Sequence, residues 1–498
     1  MKKYVLLMIL PVLVLMVSCE DFIDIDQPDV VEQDQNFQDL QTVRSSIMGI
    51  YSIFAGTVES QFLAGEVRAD LVNATPGANF YIREFNSSSF SSTNPYISPR
   101  PYYKIIVNAN EILSQVDKTL RSSAIDTSEY YNLRGELLSM RAWANLQMLK
   151  MYGKCKYITS PMDDINESSG GYLERDSVLS LVLTDLEEAD TLFVGVNKAE
   201  WERVRISRFY INVLLGEAYL EKGMFREAAD KFFEVIRKGD DRFQAPGSYV
   251  AYYHKFKLTS KFANDNWKKI FYKNWLGVGA FEEYLFYIGF SSQYDQTNKL
   301  QDWTASVNGS YQVKPSNWIT GQLNDIDEPY RGMGVSIKRE SDNNIIINKY
   351  NISRAAGIGD AGLIVNRAAR IHLMLAECYN RLGETDSALM IINKGIKLGS
   401  GYSTLGVRGR VALPALTPSD TLVDESLTNW IEDRILDESG RELAFEGNRW
   451  YDLVRIATRR NDPAILADRV ALKFPIEKQD EMREKFMDPA NWYIPLFE

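Results

Sequence analysis

Two segments of this chain repeat one pattern of small and large apolar residues, and this repetition is the strongest constraint on its fold. The first segment runs from Arg205 to Gly239 and the second from Arg367 to Gly399. The pattern residues of the first copy are Leu215, Gly216, Tyr219, Gly223, Ala228 and Phe232. Those of the second copy are Leu375, Ala376, Tyr379, Gly383, Ala388 and Ile392. Each segment therefore predicts two helices joined by a short turn, which lies at Gly223 in the first copy and at Gly383 in the second.

The spacing of these residues is that of a tetratricopeptide repeat, in which small side chains let two helices approach and large ones fill the groove between them. A single helix pair cannot bury its own apolar face, so several pairs should stack. Weaker helical patterns lie at Ile105–Leu120 with Asn132–Met151, and around Val178–Leu192. The expected fold class is mainly α, with about four tetratricopeptide-like helix pairs.

A large irregular segment separates the two copies. From Tyr249 to Trp318, 18 of 70 residues are aromatic, whereas the whole chain is 12% aromatic. The run from Glu282 to Phe290 predicts a short strand, and Ser400–Thr421 predicts a long loop. Long irregular segments are either functional or disordered, and this aromatic content argues against disorder. We expect an ordered, aromatic-rich insertion with short strands.

The first residues of the chain have the pattern of an export signal followed by an acidic segment. Two lysines precede an apolar run from Tyr4 to Val17, and its 14 residues are fewer than the roughly 20 that a membrane-spanning helix needs. The run ends with a serine followed by Cys19, an order that resembles a bacterial lipobox. We expect a signal peptide at 1–18, lipid attached at Cys19, and an acidic tether with the start of the fold at 19–45. The alternative is a plain signal peptide with an incidental cysteine.

Charge and cysteine content exclude two kinds of architecture. The net charge of −11 and the isoelectric point near 5.1 argue against a nucleic-acid binder, which needs a basic face. Besides Cys19, the chain has only Cys155 and Cys378, too few for a disulfide framework in an exported protein of this length. We expect both to be free and buried on helices.

The sequence has no recognisable catalytic or metal-binding pattern. Its two histidines, His254 and His372, lack metal-ligand spacing, and no nucleophile elbow, P-loop or zinc motif is present. Acid pairs could in principle support glycosidase chemistry, but adjacent acids are more often solvated surface charges. These pairs are Asp325 with Asp327, and Glu282 with Glu283. Asp325, Asp327 and Glu328 also lack the spacing of a calcium-binding EF-hand loop. We expect no enzymatic activity, no cofactor and no metal.

Motifs along the chain from Cys19 onward carry a family resemblance. They are YKIIVNANEIL (Tyr103–Leu113), LRGELLSMRAWANLQMLKMYG (Leu133–Gly153), VKPSNWITGQLNDIDEPYR (Val313–Arg331), LMLAECYNRLG (Leu373–Gly383), GRELAFEGNRWYDLVR (Gly440–Arg455) and the terminal NWYIPLFE. Together they resemble the SusD/RagB family of outer-membrane lipoproteins of Bacteroidetes. The segment Gly440–Arg455 is the most specific of them, and the terminal one resembles a final strand of the family.

The resemblance implies a non-catalytic, cell-surface lipoprotein that binds glycans at the outer membrane. Such a protein sits as a lid over a SusC-like TonB-dependent transporter and hands oligosaccharides to it. The resemblance also implies an N-terminal helical repeat region at 46–248, a ligand-binding insertion at 249–360, and a C-terminal repeat and RagB-type segment at 361–498.

Candidate ligand contacts follow from the chemistry of sugars, which present flat apolar faces edged with hydroxyl groups. A binder needs exposed aromatic rings beside planar hydrogen-bonding groups. The resemblance places ligand sites in the loops after the first helix and in the insertion. In the first region the candidates are Asp70, Asn79, Phe80, Tyr81, Arg83, Tyr96 and Arg100. In the second they are Trp275, Tyr294, Asp302 and Trp303, and the three aromatic ones lie near Gly, Ser, Asn and Asp, which favours their exposure.

Two observations leave other functions open. The aromatic residues of the insertion could belong largely to its core, and Pro99 stands where the family often has tryptophan, four residues before Tyr103. The chain could instead be a repeat scaffold or lid subunit that docks the transporter without a ligand of its own. It could also bind peptides, because aromatic surfaces accept their apolar side chains.

Overall fold

The computed structural model describes most of the chain from Leu40 onward. The described residues are 40–120, 127–161, 171–193, 204–238, 267–268, 270–271, 283–291, 296–324, 328–355, 361–398, 401–402 and 405–497. The expected signal peptide and Cys19 lie outside them, as do His254, Trp275, Tyr294, Glu282, Asp325 and Asp327. Within the described ranges, no helix combines the length and the apolar character that crossing a membrane requires.

Helices dominate the described chain, as the repeats predict. The first are α1 (Leu40–Ala55), α2 (Val58–Phe62), α3 (Phe80–Ser87), α4 (Arg100–Leu120), α5 (Thr127–Tyr152), α6 (Arg175–Leu192), α7 (Arg208–Glu221) and α8 (Phe225–Lys238). They are followed by α9 (Lys299–Thr304), α10 (Asn317–Gln322), α11 (Ile352–Ala355), α12 (Ala368–Arg381), α13 (Thr385–Asn393), α14 (Asp424–Glu442), α15 (Arg449–Arg460), α16 (Ala464–Ala471) and α17 (Ile476–Met487). A π-helix spans Leu63–Val67, and 3-10 turns lie at Pro95–Ile97, Gly409–Val411 and Pro489–Trp492. The mainly α fold class is confirmed.

The strands are short and pair two by two in antiparallel fashion. They are β1 (Val72–Ala74), β2 (Tyr284–Ile288), β3 (Val313–Pro315), β4 (Ile337–Arg339), β5 (Ile345–Ile347), β6 (Leu363–Arg367), β7 (Lys397–Leu398) and β8 (Gly401–Tyr402). The pairs are β1 with β3, β2 with β6, β4 with β5, and β7 with β8. The strand predicted between residues 282 and 290 is confirmed as β2.

Gly216 shows why the repeat pattern demands a small residue. Helices α7 and α8 pack so closely that a Cβ atom on Gly216 would lie 2.4 Å from the ring of Phe232. The turns after α7 and α12 place Gly223 and Gly383 at φ +79°, a conformation that glycine adopts without steric cost. Both strong repeat copies are thus confirmed, as α7–α8 and α12–α13. The pattern around 178–192 forms one helix, α6, which packs against both α5 and α7.

Strand β2 is buried on both faces. All five residues from Tyr284 to Ile288 are buried. Phe286 belongs to the main core, whereas Tyr284 and Tyr287 belong to a second apolar cluster that also contains Trp267. The register of β2 against β6 is irregular between Tyr284 and Phe286 and between Phe286 and Tyr287. Because of these irregularities, successive side chains do not alternate strictly between the two faces of the strand pair. The insertion therefore has a small core of its own, attached to the repeats through β2.

Glu442 is the centre of a buried ion network that joins the insertion to the C-terminal helices. One of its carboxylate oxygens accepts hydrogen bonds from Arg367 at 2.7 Å and from Arg410, and the other accepts from Arg331 at 2.7 Å. Glu283, just before β2, pairs with Arg367 and Arg410, and all five side chains are at most 1% exposed. Burial opposes ionisation of Glu283, but Arg410 and Arg367 hold its pKa below the usual value. Glu283 therefore has a structural role.

Two local predictions are wrong. Cys378 is free and buried on α12 as expected, but Cys155, also free and buried, follows the end of α5 and forms a β-bridge with Leu173. The terminal segment, expected to be a strand, is the 3-10 turn at Pro489–Trp492 followed by extended residues. The amide of Ile494 donates to a carbonyl in the last turn of α5 at 2.9 Å. Because this tail satisfies a helix end rather than a neighbouring strand, no sheet forms there.

Replacing Gly216 with alanine should lower the free energy of unfolding by about 1–3 kcal/mol, because the new methyl group overlaps the buried Phe232 ring. Urea unfolding of both proteins measures this difference. Gly49 on α1 is the matched control, since a Cβ there meets no atom within 4 Å. Gly49→Ala should be neutral or stabilising by up to about 1 kcal/mol. Equal effects of the two substitutions would contradict the close approach of α7 and α8.

His372 should make the protein less stable in mild acid. Burial lowers the pKa of His372 to about 4, and its Nδ1 lies 2.7 Å from the carbonyl oxygen of Ala368. Between pH 6.5 and 4 the unfolded chain binds a proton at this residue that the folded chain does not, so stability falls as the pH decreases. From pH 7 to pH 5 the loss should be about 2 kcal/mol, and His372→Gln should remove that part of the pH dependence. Urea unfolding at both pH values tests this, and identical pH slopes for the two proteins would refute it.

Candidate functional site

The pairing of β1 with β3 brings two distant parts of the chain side by side. Val72 aligns with Pro315, and the amide of Thr75 donates to the carbonyl of Gln312 at 2.9 Å. The amide of Asn79 then donates to the side-chain oxygen of Gln312 at 2.7 Å. The residues that follow β1 therefore lie against those that precede β3. These are parts of the two regions in which ligand contacts were predicted.

Asn79 fixes the start of α3 and with it an exposed aromatic side chain. Its side-chain oxygen accepts a hydrogen bond from the amide of Ile82 at 2.9 Å, which caps the helix. Phe80, the first residue of α3, is 57% exposed, and its ring centroid lies 5.7 Å from that of Tyr81. Arg83 is exposed one turn further along. This end of α3 offers an open aromatic ring beside an amide and a guanidinium group.

Tyr96 and Trp303 join the two regions through their rings. Asn94 positions Tyr96, because its side chain accepts from the Tyr96 amide at 3.0 Å and donates to Glu84 at 2.8 Å. The rings of Tyr96 and Trp303 meet edge to face with centroids 5.6 Å apart, an arrangement that ring quadrupoles favour. Trp303 is only 5% exposed, whereas Tyr96 is half-buried. The exposure predicted for Trp303 is therefore wrong, since its ring belongs to the core that supports Tyr96.

A charged pair borders Tyr96. The Nζ atom of Lys299 lies 2.9 Å from a carboxylate oxygen of Glu59. Burial and the negative charge of Glu59 raise the pKa of Tyr96, and Lys299 only partly offsets them. The Tyr96 hydroxyl therefore stays protonated at neutral pH and can donate a hydrogen bond to a ligand.

Asp302 and Arg100 are exposed near these aromatic residues in the chain. Asp302 precedes Trp303 on α9, and its carboxylate accepts from the amide of Ser310 at 3.1 Å, which holds the loop before β3. Arg100 opens α4, and its amide donates to the hydroxyl of Ser98 at 3.3 Å. Both side chains carry a charge at the boundary of a helix, where solvent or a ligand can reach it.

Asp70 is set apart from the other candidates. It is buried, and Arg449 donates to its two carboxylate oxygens from Nε at 2.8 Å and from Nη2 at 2.7 Å. Burial would raise the pKa of Asp70, but Arg449 more than offsets it and the pKa is lowered. In this conformation Asp70 anchors α15 to the segment before β1. A role in ligand binding stays a prediction, as it does for Trp275 and Tyr294, which lie outside the described residues.

Tyr311 adjoins this site, although its sequence context did not single it out. It has a φ of +45°, and its hydroxyl donates to the carbonyl of Ile345 at 3.0 Å. Its own carbonyl accepts from the hydroxyl of Thr75. The preceding Gly309 and Ser310 resemble the surroundings of the aromatic residues that were chosen, so local composition could have indicated it.

These residues form what we call the aromatic surface. Its members are Asn79, Phe80, Tyr81, Arg83, Tyr96, Arg100, Asp302 and Tyr311. It combines aromatic rings with amide, guanidinium, hydroxyl and carboxylate groups, and this combination suits a ligand with flat apolar faces and hydroxyl edges. In the described part of the chain, no group of three or more His, Cys, Asp or Glu residues could hold a metal ion.

The chain belongs to the SusD family. The family model matches residues 206–496. A second model, described as starch-binding associating with outer membrane, matches residues 22–208. The two matches meet within the helical repeats and together span the repeats, the insertion and the C-terminal segment.

Individual relatives show the same similarity over nearly the whole chain. A SusD-like protein of Formosa agariphila is 25% identical over 490 residues, which cover 88% of each chain. A solved SusD superfamily protein of Bacteroides thetaiotaomicron has a TM-score of 0.69 at 18% identity, covering 93% of this chain and 96% of that one. A laminarin-binding SusD-like protein has a TM-score of 0.66 at 19% identity, covering 92% and 96%. At these identities the solved structures establish a common fold.

Replacing the buried Trp303 and replacing the exposed Phe80 should change the free energy of unfolding by different amounts. Trp303→Ala should lower the free energy of unfolding by about 3–5 kcal/mol, because it leaves a cavity under Tyr96. Phe80→Ala should change it by less than about 0.5 kcal/mol, since the ring is mostly in solvent. Urea unfolding of the two variants decides between these values. A Trp303 variant as stable as the parent would show that this ring is not part of the core.

Proposed function

We propose that this protein captures glycans at the outer surface of the outer membrane and passes them to a SusC-like TonB-dependent transporter. The proposal assigns ligand binding to the aromatic surface and no catalytic role to any residue. Membership of the SusD family supports carbohydrate binding and association with the outer membrane. The observation that carries the choice of site is the 57% exposure of Phe80 on a capped helix, beside Asn79 and Arg83.

The aromatic surface is suited to binding because its support is rigid. Tyr96 is held from one side by Asn94 and from the other by the ring of Trp303. Asn79 is fixed by two hydrogen bonds, one to Gln312 and one from Ile82. Rings and amides that are already in place lose little conformational entropy when a ligand binds, which favours affinity for a flexible oligosaccharide.

The ligand-binding residues are best tested with Phe80, because its replacement should leave the fold intact. Phe80→Ala should weaken binding to the glycan that the parent protein retains by roughly tenfold, the usual scale for removing a central aromatic contact. Affinity electrophoresis against a panel of neutral and acidic polysaccharides, followed by calorimetry, measures this. Leu181→Ala is the matched control, since Leu181 is a 37% exposed apolar residue on α6. Equal retention of both variants would exclude Phe80 as a contact.

The same variants distinguish capture from a purely docking role. If Phe80→Ala loses glycan retention but still co-purifies with the transporter from membranes, the aromatic surface serves the ligand. If the parent protein retains no glycan, and Phe80→Ala abolishes co-purification, the chain is a lid or scaffold subunit instead. Retention of peptides in place of glycans would indicate the peptide-capture alternative.

Attachment to the membrane is proposed to depend on lipid at Cys19. Cys19→Ser should therefore abolish incorporation of labelled palmitate and release the protein from the membrane fraction. Lys2 or Lys3 changed to serine gives a control in the same segment that keeps the cysteine. A Cys19→Ser protein that still carries label would contradict this assignment.

A further inference from the structure

A second site candidate lies at the opposite end of α3 from Phe80. The groove there has a volume of about 430 Å³, within the range of small-ligand clefts. Its lining includes Ser88, Phe90, Tyr152, Lys154, Tyr172 and Asn491. We call it the C-terminal groove, because residues 490–491 and 493–496 form one of its walls.

Close packing and hydrogen bonds to the backbone fix the walls of the C-terminal groove. Gly153 follows the last residue of α5 at φ +76°, and a Cβ there would lie 2.9 Å from the ring of Tyr493. Glycine therefore allows the C-terminal residues to pack against the end of α5. The tail is also held by the hydrogen bond from Ile494 to Met151. On the other wall, Tyr152 donates from its hydroxyl to the carbonyl of Ile97 at 3.0 Å. The cavity is therefore part of the folded framework.

Arg68 lies directly behind this groove with one nitrogen unused. Its Nε donates to the hydroxyl of Ser88 and its Nη2 to the carbonyl of Asn491, both at 3.2 Å, and both of these residues line the groove. Its guanidinium carbon lies 4.1 Å from the ring centroid of Trp450 and 5.5 Å from that of Phe90. Among the described residues, Nη1 is buried without a hydrogen-bond partner, and the ionisable groups that act on the pKa of Arg68 are Tyr451 and Tyr493, neither of them a carboxylate. A buried guanidinium without an anion is costly, which points to a missing partner.

Two further cations surround Arg68 and also bond only to neutral oxygens. Lys473 donates to the carbonyls of Val67 at 2.6 Å and of Arg68 at 3.3 Å. Lys485 donates to the carbonyls of Ser87 and Ser88 at 2.8 and 2.9 Å. Asp70, an acid close to Lys473, is already committed to Arg449. Glu481 is an acid near Lys485. Basic side chains therefore outnumber acidic ones behind the groove, although burial lowers the pKa of Lys473 to about 7 and that of Arg68 to about 9.

The mouth of the groove combines an exposed ring with ammonium groups. Tyr172 is 39% exposed, and the Nζ atoms of Lys154 and Lys156 lie 5.3 and 5.7 Å from its ring centroid. Such a ring can stack on the apolar face of a sugar while the ammonium groups attract an anion. An anion would gain charge-assisted hydrogen bonds from these lysines and from Arg68, which are roughly twice as strong as those that a neutral hydroxyl group would accept.

We infer that the C-terminal groove binds an acidic sugar unit, with the oxyanion placed against Arg68 Nη1 and Lys154 and the sugar ring on Tyr172. Phe90 lies over the Arg68 guanidinium and lines the groove, and the inference requires its half-buried ring to turn before an anion can reach the buried Nη1. The oxyanion can be the carboxylate of a uronic acid or a sulfate ester, since both accept charge-assisted hydrogen bonds from guanidinium and ammonium groups. The saccharide part of this inference rests on the glycan capture proposed above, whereas the anion part rests on Arg68 and its surroundings.

The two sites lie close enough to serve one glycan chain. Phe80 begins α3 and Ser88 follows its last residue, and a helix of eight residues is about 12 Å long. The ring of Phe90 also packs on Phe85 of α3 with centroids 5.0 Å apart. A polysaccharide with occasional acidic units could therefore contact the aromatic surface with neutral units and the groove with a charged one.

Calorimetry with three oligosaccharides of equal length tests the inference: a galacturonate oligomer, a sulfated galactan oligomer and a neutral laminarin oligomer. At least one acidic oligomer should bind, and Lys154→Ala should weaken its binding by about tenfold, the scale of losing one charge-assisted contact. Tyr172→Ala should also weaken it by about tenfold, because the stacking contact with the sugar ring is lost. Lys338→Ala, an exposed lysine on β4, is the matched control and should have no effect. The preferred acidic oligomer identifies carboxylate or sulfate as the anion.

Several results would overturn the inference. Acidic oligomers that bind no better than the neutral one would do so, as would acidic binding that Lys154→Ala and Tyr172→Ala leave unchanged. A crystal structure of the complex decides the role of Arg68, whose replacement could unfold the protein, and an anion that stays away from Nη1 would refute it. Loss of acidic binding in Phe80→Ala alone would instead place the anion at the aromatic surface. Acidic binding that survives Phe80→Ala would support the groove even if the aromatic surface bound nothing.

Discussion

The ion network around Glu442 is the interaction on which the arrangement of this protein depends. Its three arginines come from separate parts of the chain: Arg331 follows α10, Arg367 ends β6, and Arg410 lies in the turn at 409–411. Charges buried this deeply are costly unless every one is paired, so the network permits one relative position of the insertion and α14. The network is also connected to the aromatic surface. Lys349, just after β5, donates to Glu446 at 2.7 Å, and β5 packs on β3.

Local features of this fold could be predicted from the sequence, whereas long-range pairings could not. The repeats were predictable because Gly216 and Phe232 are close in the chain and their packing follows from helix geometry. Trp303 was misjudged because the Gly, Ser, Asn and Asp residues near it indicate exposure, whereas it is buried in the main core and contacts Tyr96, some 200 residues earlier. Asp70 was chosen as a planar hydrogen-bonding group in a region where the resemblance places a ligand site, and nothing local reveals a partner as distant as Arg449.

The motif that identifies the family most specifically is Gly440–Arg455, and several of its side chains make buried structural contacts in this chain. Besides Glu442, it contains Arg449, which holds Asp70, and Trp450, whose ring faces Arg68. Four backbone amides donate to the buried carboxylate of Glu66, those of Phe445, Gly447, Asn448 and Arg449. The motif is therefore informative about the fold, and the ligand contacts proposed above all lie outside Gly440–Arg455.

The contact between β1 and β3 has a consequence for how ligand preference can change. Strand pairing uses amide and carbonyl groups, which every residue except proline supplies in full, and it is therefore largely indifferent to side chains. Exposed positions of the segments on either side, 75–100 and 299–312, can exchange aromatic, amide and charged residues while the two segments remain aligned with each other. Two segments that stay in register while their exposed positions change give this scaffold many possible surfaces from one backbone. Diversity of recognition can then arise within the family without any redesign of its core.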